Sequence, residues 1–105
     1  MVKEDILPLG SVVQIQGNTK KLMIIARGML VNLENGQFYF DYGAVLYPEG
    51  LLGEDVFYFN HENIQNICVK GAELQEEELA KDTIFRAYQE NINRRADLDK
   101  QGEDW

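Results

Sequence analysis

At 105 residues, with 45% apolar and 10% aromatic side chains, the chain suits one packed domain and leaves no room for two full cores. Eighteen acidic residues against ten basic ones give a formal charge of -8. That balance excludes a general nucleic-acid binder, which must displace counterions from phosphates, and excludes electrostatic docking on anionic lipid. A single cysteine, Cys68, excludes an internal disulfide framework and a multi-thiolate metal site, and a single histidine, His61, excludes a site built on two imidazoles.

No run approaches the roughly 20 apolar residues of a membrane span. Met1-Val2-Lys3-Glu4-Asp5 carries two acids where a secretion signal has a basic region, so a cytoplasmic location is expected. Residues 1–71 read as a sheet-rich core with a short helix, and 72–105 as the C-terminal helix and tail of the same domain. In Ser11–Gln16, period-2 alternation places Val13 and Ile15 on one side. After a turn at Gly17–Lys20, the apolar run Lys21–Arg27 reads as a central strand covered on both faces, with a bulge or sharp twist at Gly28. Asn35-Gly36 is the favoured pair for a type I′ hairpin turn joining Met29–Leu33 to Gln37–Tyr42. In the second of these strands Phe38, Phe40 and Tyr42 share one face, and Tyr39 and Asp41 the other. A further strand at Ala44–Tyr47 is stopped by Pro48-Glu49-Gly50, and Val56–Phe59 resumes the sheet. Asn60 then reads as the cap of a short helix over His61–Ile67, turning Ile64 and Ile67 towards the sheet. The pattern leaves open whether Cys68-Val69-Lys70 adds an edge strand.

From Gln75 to Asp97 the spacing predicts one long amphipathic helix, covering at least Glu78 to Asn91. Ala80, Ile84, Tyr88, Ile92 and Ala96 recur at i, i+4, and Phe85 and Ala87 widen the stripe. Glu76, Glu77 and Glu78 at its start and Arg94 and Arg95 near its end suit the helix dipole. The fold class expected is therefore α+β: a strongly bent antiparallel sheet of about five strands, a short helix and the long C-terminal helix.

Little in the sequence points to chemistry. On a continuous helix His61 and Cys68 would stand roughly 10 Å apart along the axis, too far for a thiol–imidazole pair. His61 reads as a structural or surface residue and Cys68 as a small core residue. The run Glu73, Glu76, Glu77 and Glu78 points in different directions around a helix. Asp41, Glu49, Glu54 and Asp55 lack the spacing of a calcium loop. Gly50-Leu51-Leu52-Gly53 lacks the Lys-Ser/Thr that completes a phosphate loop. No catalytic residue, metal or cofactor is expected. The feature open to a functional role is the helix stripe. Ile84, Tyr88 and Ile92, with the adjacent Arg94 and Arg95, form the candidate partner-binding set. The first half of the helix is expected to pack on the sheet, and the part from Tyr88 onward to reach a protein partner or a second copy of the chain.

Several ordered segments resemble a small bacterial family. These are Leu7-Pro8-Leu9-Gly10-Ser11-Val12-Val13, Lys20–Arg27, Phe40-Asp41-Tyr42-Gly43-Ala44-Val45-Leu46-Tyr47-Pro48-Glu49-Gly50, and Phe59-Asn60-His61-Glu62-Asn63-Ile64. In order and spacing they are similar to the family catalogued as domain of unknown function 4176, found mainly in Gram-positive bacteria, over about residues 6–71. Tyr47-Pro48-Glu49-Gly50 and Phe59-Asn60-His61-Glu62 are the most specific parts. Two places depart from the pattern: Asn18-Thr19 stands in for a more glycine-rich turn, and the helix after Gly71 is longer. Members are often encoded beside type VII secretion genes and the polymorphic toxins which that system exports. The resemblance therefore implies a non-enzymatic cytoplasmic accessory factor, a chaperone or targeting adaptor, whose partner is a secreted toxin or its helical targeting factors. The alternative is an immunity protein neutralising a cognate toxin; a small enzyme has the least support.

Overall fold

The computed structural model describes residues 1–95, and Ala96 and Asp97 of the expected helix lie outside them. Five strands, β1 (Val12–Ile15), β2 (Lys21–Leu33), β3 (Gly36–Tyr47), β4 (Phe57–Phe59) and β5 (Ile64–Val69), form one antiparallel sheet in the order β4-β3-β2-β1-β5. One α-helix, α1 (Glu76–Glu90), follows, and short 3-10 turns lie at Lys3–Asp5, His61–Asn63 and Ile92–Arg94. The fold is α+β, with the sheet curled but open. Its core gathers Leu7, Val13, Ile15, Leu22, Ile24, Tyr42, Ala44 and Phe59, with Leu46, Phe57 and Ile64 packed beside them.

Several expectations need correction. The segments Lys21–Arg27 and Met29–Leu33 are one strand, and Gln37–Tyr42 and Ala44–Tyr47 are another, because β2 and β3 pair along almost their whole length. β2 is not covered on both faces: Leu22 and Ile24 are buried, whereas Ile25 is exposed. Ile25 is the extra residue of a bulge, since pairing passes from Ile24–Ala44 directly to Ala26–Gly43. At Gly28, where a bulge or a sharp twist was expected, the pairing keeps its register and the backbone takes a positive φ of 69°. The hairpin forms, but its two loop residues are Glu34 and Asn35, with Leu33 paired to Gly36. A type I′ turn at Asn35-Gly36 needs positive φ at both positions, and only Gly36, at φ 137°, has it.

The largest correction concerns Asn60–Val69. The helical signal is spent within three residues: the Asn60 N–H donates to Asn63 Oδ1 at 2.9 Å, and Ile64 is already extended at ψ 126°. Ile64–Val69 then runs as β5 beside β1, with Ile64 opposite Ile15, Ile67 opposite Val13 and Val69 opposite Val12. Three β-branched side chains in six residues suit a strand better than a helix, where they lose χ1 freedom. As a result Ile64 and Ile67 do not face the sheet together. Ile64 packs on the core, Ile67 is exposed, and Cys68 lies exposed on this outer strand rather than inside.

The helix also ends earlier than its periodicity suggests. Asn91 closes it, its side-chain amide donating to the Ala87 carbonyl at 2.8 Å and its N–H to the Ala87 and Tyr88 carbonyls. The chain then turns through Ile92–Arg94, which takes Ile92 off the stripe. At the other end, Gly71 lies where the chain leaves β5 and passes the N-terminal segment. Its N–H donates to Ser11 Oγ at 2.9 Å, and a Cβ there would collide with the Leu9 carbonyl.

Candidate functional site

The helix meets the body through both packing and ion pairs. Only Lys81 and Tyr88 of α1 are buried; Ile84 and Phe85 are half-buried. In its first turn, Glu77 meets the Arg27 guanidinium of β2 in a two-pronged pair, with side chains 12% and 7% exposed. Arg27 also donates to the Leu7 carbonyl at 3.3 Å. Lys81 pairs with Glu73 at 2.9 Å, and Lys3 of the N-terminal turn with Asp82 at 2.7 Å. The hydrogen bonds from Lys81 and Lys70 hold the Glu73 carboxyl below its ordinary range, and the bond to Asp82 raises the Lys3 ammonium. The Arg27–Glu77 pair is largely shielded from water, whereas Lys3–Asp82 is open to it and contributes little.

Beyond the last helical turn the chain forms a second polar cluster. Arg95 Nε donates to Asp41 Oδ1 at 3.1 Å, and its Nη2 reaches both Asp41 and Glu62. The guanidinium also lies over the Tyr88 ring, 5.1 Å from the centroid. The Asp41 side chain, 1% exposed, accepts the His61 N–H at 2.8 Å, while the Asp41 N–H donates to Asn60 Oδ1 at 3.0 Å. Tyr42 Oη accepts the Leu7 N–H at 3.1 Å and contacts His61 Nδ1 at 2.9 Å. The Tyr42 hydroxyl donates to Nδ1 when the ring proton is on Nε2 and accepts from it when the proton is on Nδ1.

Electrostatics follow this geometry. Burial drives the Tyr42 phenol up and pushes Tyr39 up to about 12. Arg95 loses hydration, which opposes its charge, but its bonds to Glu62 and Asp41 outweigh that and raise it. Glu62 feels the same opposition: partial burial raises its carboxyl, and the Arg95 bond brings it below the ordinary value. His61, Tyr42 and Asp41 thus spend their polar atoms on fixing the junction between β4 and β5. Among the described residues, no group of three or more His, Cys, Asp or Glu side chains could hold a metal ion.

The five residues expected to bind a partner fall in different settings. Tyr88 and Arg95 come together, and both face inward, Tyr88 7% exposed and Arg95 on the buried Asp41. Ile84 is half-buried. Ile92 is exposed, and Arg94 is exposed with a long contact of 3.5 Å to Asn91 Oδ1. The open part of the set is thus Ile92 and Arg94, outside the helix.

A different apolar surface lies at the start of the helix. Leu9, Ala72, Leu74, Glu76, Glu77 and Ala80 line an open depression of about 410 Å³. Leu9 is 50% exposed and Leu74 71%, and Leu79, three residues on from Glu76, is 74% exposed. Sequence periodicity missed this surface because Leu74 precedes the helix and Leu79 lies off the Ala80–Ile84–Tyr88 stripe. The available signal was a pair of leucines left over once that stripe is drawn, beside the apolar Leu7-Pro8-Leu9 segment.

No helix among the described residues is long and apolar enough to cross a membrane. No curated protein and no solved structure matches the chain. A family model does, over residues 6–80: this span takes in all five strands, the first turn of α1 and every residue lining the depression. Ile84, Tyr88, Ile92, Arg94 and Arg95 lie beyond it. The sheet, its junctions and the leucine-lined depression are therefore those of a member of the family described as Domain of unknown function (DUF4176), to which this chain belongs.

Proposed function

We propose that the protein is a non-enzymatic interaction module, acting in the cytoplasm as a chaperone or targeting adaptor for toxins exported by a type VII system. The observation that carries the reading is the exposed leucine surface around the depression at the root of α1. Leu9 and Leu74, brought together at one depression with Leu79 nearby in the helix, offer apolar surface that a protein partner would bury. The type VII partner follows from the genomic setting that the family resemblance implies. A second reading, immunity, draws on the charge of -8, which would steer the chain to a basic catalytic domain. Co-purification of the full chain with separate N-terminal and C-terminal fragments of a cognate toxin divides the two. The adaptor reading expects capture of the N-terminal fragment or of the toxin's helical targeting factors. Capture of the C-terminal catalytic fragment alone rejects the adaptor and favours immunity.

A further inference from the structure

One margin of the sheet lacks the protection that the others have. β1 meets β2 only at Leu22 and Met23, with Gly10 and Ser11 bonded to Ile24 just beyond. From Ile25 to Leu33, that side of β2 has no strand partner among the described residues. Its last part, Met29–Leu33, lies past the bulge at Ile25 and the positive φ at Gly28. There it pairs with β3 in unbroken register, from Met29–Phe40 to Leu33–Gly36. The segment holds no charge, glycine or proline, and Leu30 and Leu33 are 45% and 42% exposed. The other margins differ. β4 is three residues long, the pairing of β5 with β1 shifts twice, and the outer side of β3 is bridged at Tyr39 by Arg95. Short edges, irregular ladders and cover from another segment all discourage edge pairing, and Met29–Leu33 has none of them among the described residues.

We infer that Met29–Leu33 pairs antiparallel with the same segment of a second copy, about a two-fold axis at Val31, joining two sheets edge to edge in a symmetric dimer. Charge and length select this occupant. Two chains at -8 repel, so a contact between copies must lie where neither carries charge. Gly28–Leu33 is uncharged, and centring on Val31 sets Glu34 of one copy opposite Gly28 of the other rather than opposite Glu34. Met29 then meets Leu33, and Val31 meets Val31. Phe38 lies opposite Val31 on β3, so an apolar row crosses four strands. The hairpin tip at Asn35 reaches Arg27 of the other copy, short of Ile24, where Gly10 and Ser11 already occupy the margin. A contact of about seven residues a side falls well below the roughly 20–30 of a standard interface, so the dimer is weak and depends on concentration. It uses no residue that lines the depression, and it stands apart from the adaptor and immunity readings.

Sedimentation of the full chain from about 1 μM to 1 mM, with amide hydrogen exchange at both ends of that range, tests the inference. A monomer–dimer equilibrium is expected, with amides in Met29–Leu33 exchanging more slowly as concentration rises. Added salt should strengthen the dimer by screening the like net charges. Val31→Lys sets two lysines against each other at the axis and should raise the dissociation constant about tenfold or more. Leu33→Lys, at an exposed position where the fold tolerates a charge, should raise it about threefold or more and carries the test if Val31→Lys does not fold. Ile67→Lys on β5, Ile92→Ser after α1 and Leu74→Ser at the depression should leave association unchanged. Thermal melts check the fold of each variant. A chain that stays monomeric throughout overturns the inference. So does a dimer whose slowed amides lie only outside Met29–Leu33, or one that Ile67→Lys, Ile92→Ser or Leu74→Ser weakens as much as Leu33→Lys does.

Discussion

The two ends of α1 are fastened alike, by a buried arginine–carboxylate pair, but differ in what they leave open. At its far end, Tyr88 is buried under Arg95, and Arg95 is fastened to an almost fully covered Asp41. At its root, leucines face solvent above an open depression, while Arg27 and Glu77 make the buried tie underneath. Both ends take charges out of water to fix the chain, and the root alone also leaves apolar surface in water. Desolvated charges tolerate no loss of a partner, because the survivor is stranded. Exposed leucines contribute little to the fold and can be changed freely. The difference separates surface that holds the molecule together from surface available to another protein.

Mutations should sharpen that contrast, beginning at the far end. Asp41→Ala removes the acceptor for Arg95 and for the His61 N–H, and should lower unfolding free energy by about 3–5 kcal/mol in a urea titration. A cost below about 1 kcal/mol would mean that the cluster is wetter than its geometry implies. Arg27→Met should cost about 2–3 kcal/mol, since Glu77 in the first helical turn can swing towards water. Arg27→Met with Glu77→Leu should recover most of the loss; no recovery would place the cost in the Leu7 contact instead. Tyr42→Phe deletes the acceptor for the Leu7 N–H and should cost about 1–2 kcal/mol, with an NMR shift at His61 reporting the lost bond.

Acid provides a gentler probe. The Glu62 carboxyl is lowered in the folded state, so its contribution is present above the unfolded value and is lost as pH falls through the folded one. With the side chain 63% exposed, water screens the pair, and the loss should be well under 1 kcal/mol. Stability curves of the wild-type chain and Glu62→Gln should differ near neutral pH and converge in acid; a widening gap in acid would contradict the sign. The smallest effect is expected at the root, where Leu74→Ser should shift stability by no more than about 0.5 kcal/mol.

Much of the sheet was legible because its signals are local and two-fold. Val13 and Ile15 alternate correctly, a hairpin forms beside Asn35-Gly36, and Tyr47–Gly50 makes the expected stop, with Gly50 N–H returning to the Leu46 carbonyl at 2.7 Å. Asn60–Val69 misled because a capping residue and two isoleucines three apart satisfy the start of a helix, while the strand's partner, β1, lies far away in sequence. The helix stripe was visible, but its ending depends on the Asn91 side chain, a single polar contact that hydrophobic periodicity does not sense. Arg95 reads as surface charge next to Arg94. Its burial follows from Asp41, more than fifty residues earlier, together with Glu62 and the Tyr88 ring. The depression was the least legible, since it joins Leu9 to Leu74 through the Ser11–Gly71 crossing.

The placement of β1 between β2 and β5 has a consequence for synthesis. A nascent chain can complete β1 to β4 while the strand that must cover β1's other side is still unmade. Ser11 and Gly71, sixty residues apart, meet only after that last strand has emerged. Until then Val12, Val13 and Ile15 belong to an outermost strand with a bare hydrogen-bonding margin, the arrangement most open to pairing with a neighbouring polypeptide. Polypeptides that stop or are clipped before Ile64 should therefore expose the β1 margin with its core side chains Val13 and Ile15, whereas on that side the finished molecule exposes only the margin of β5, whose Ile67 and Val69 already face solvent.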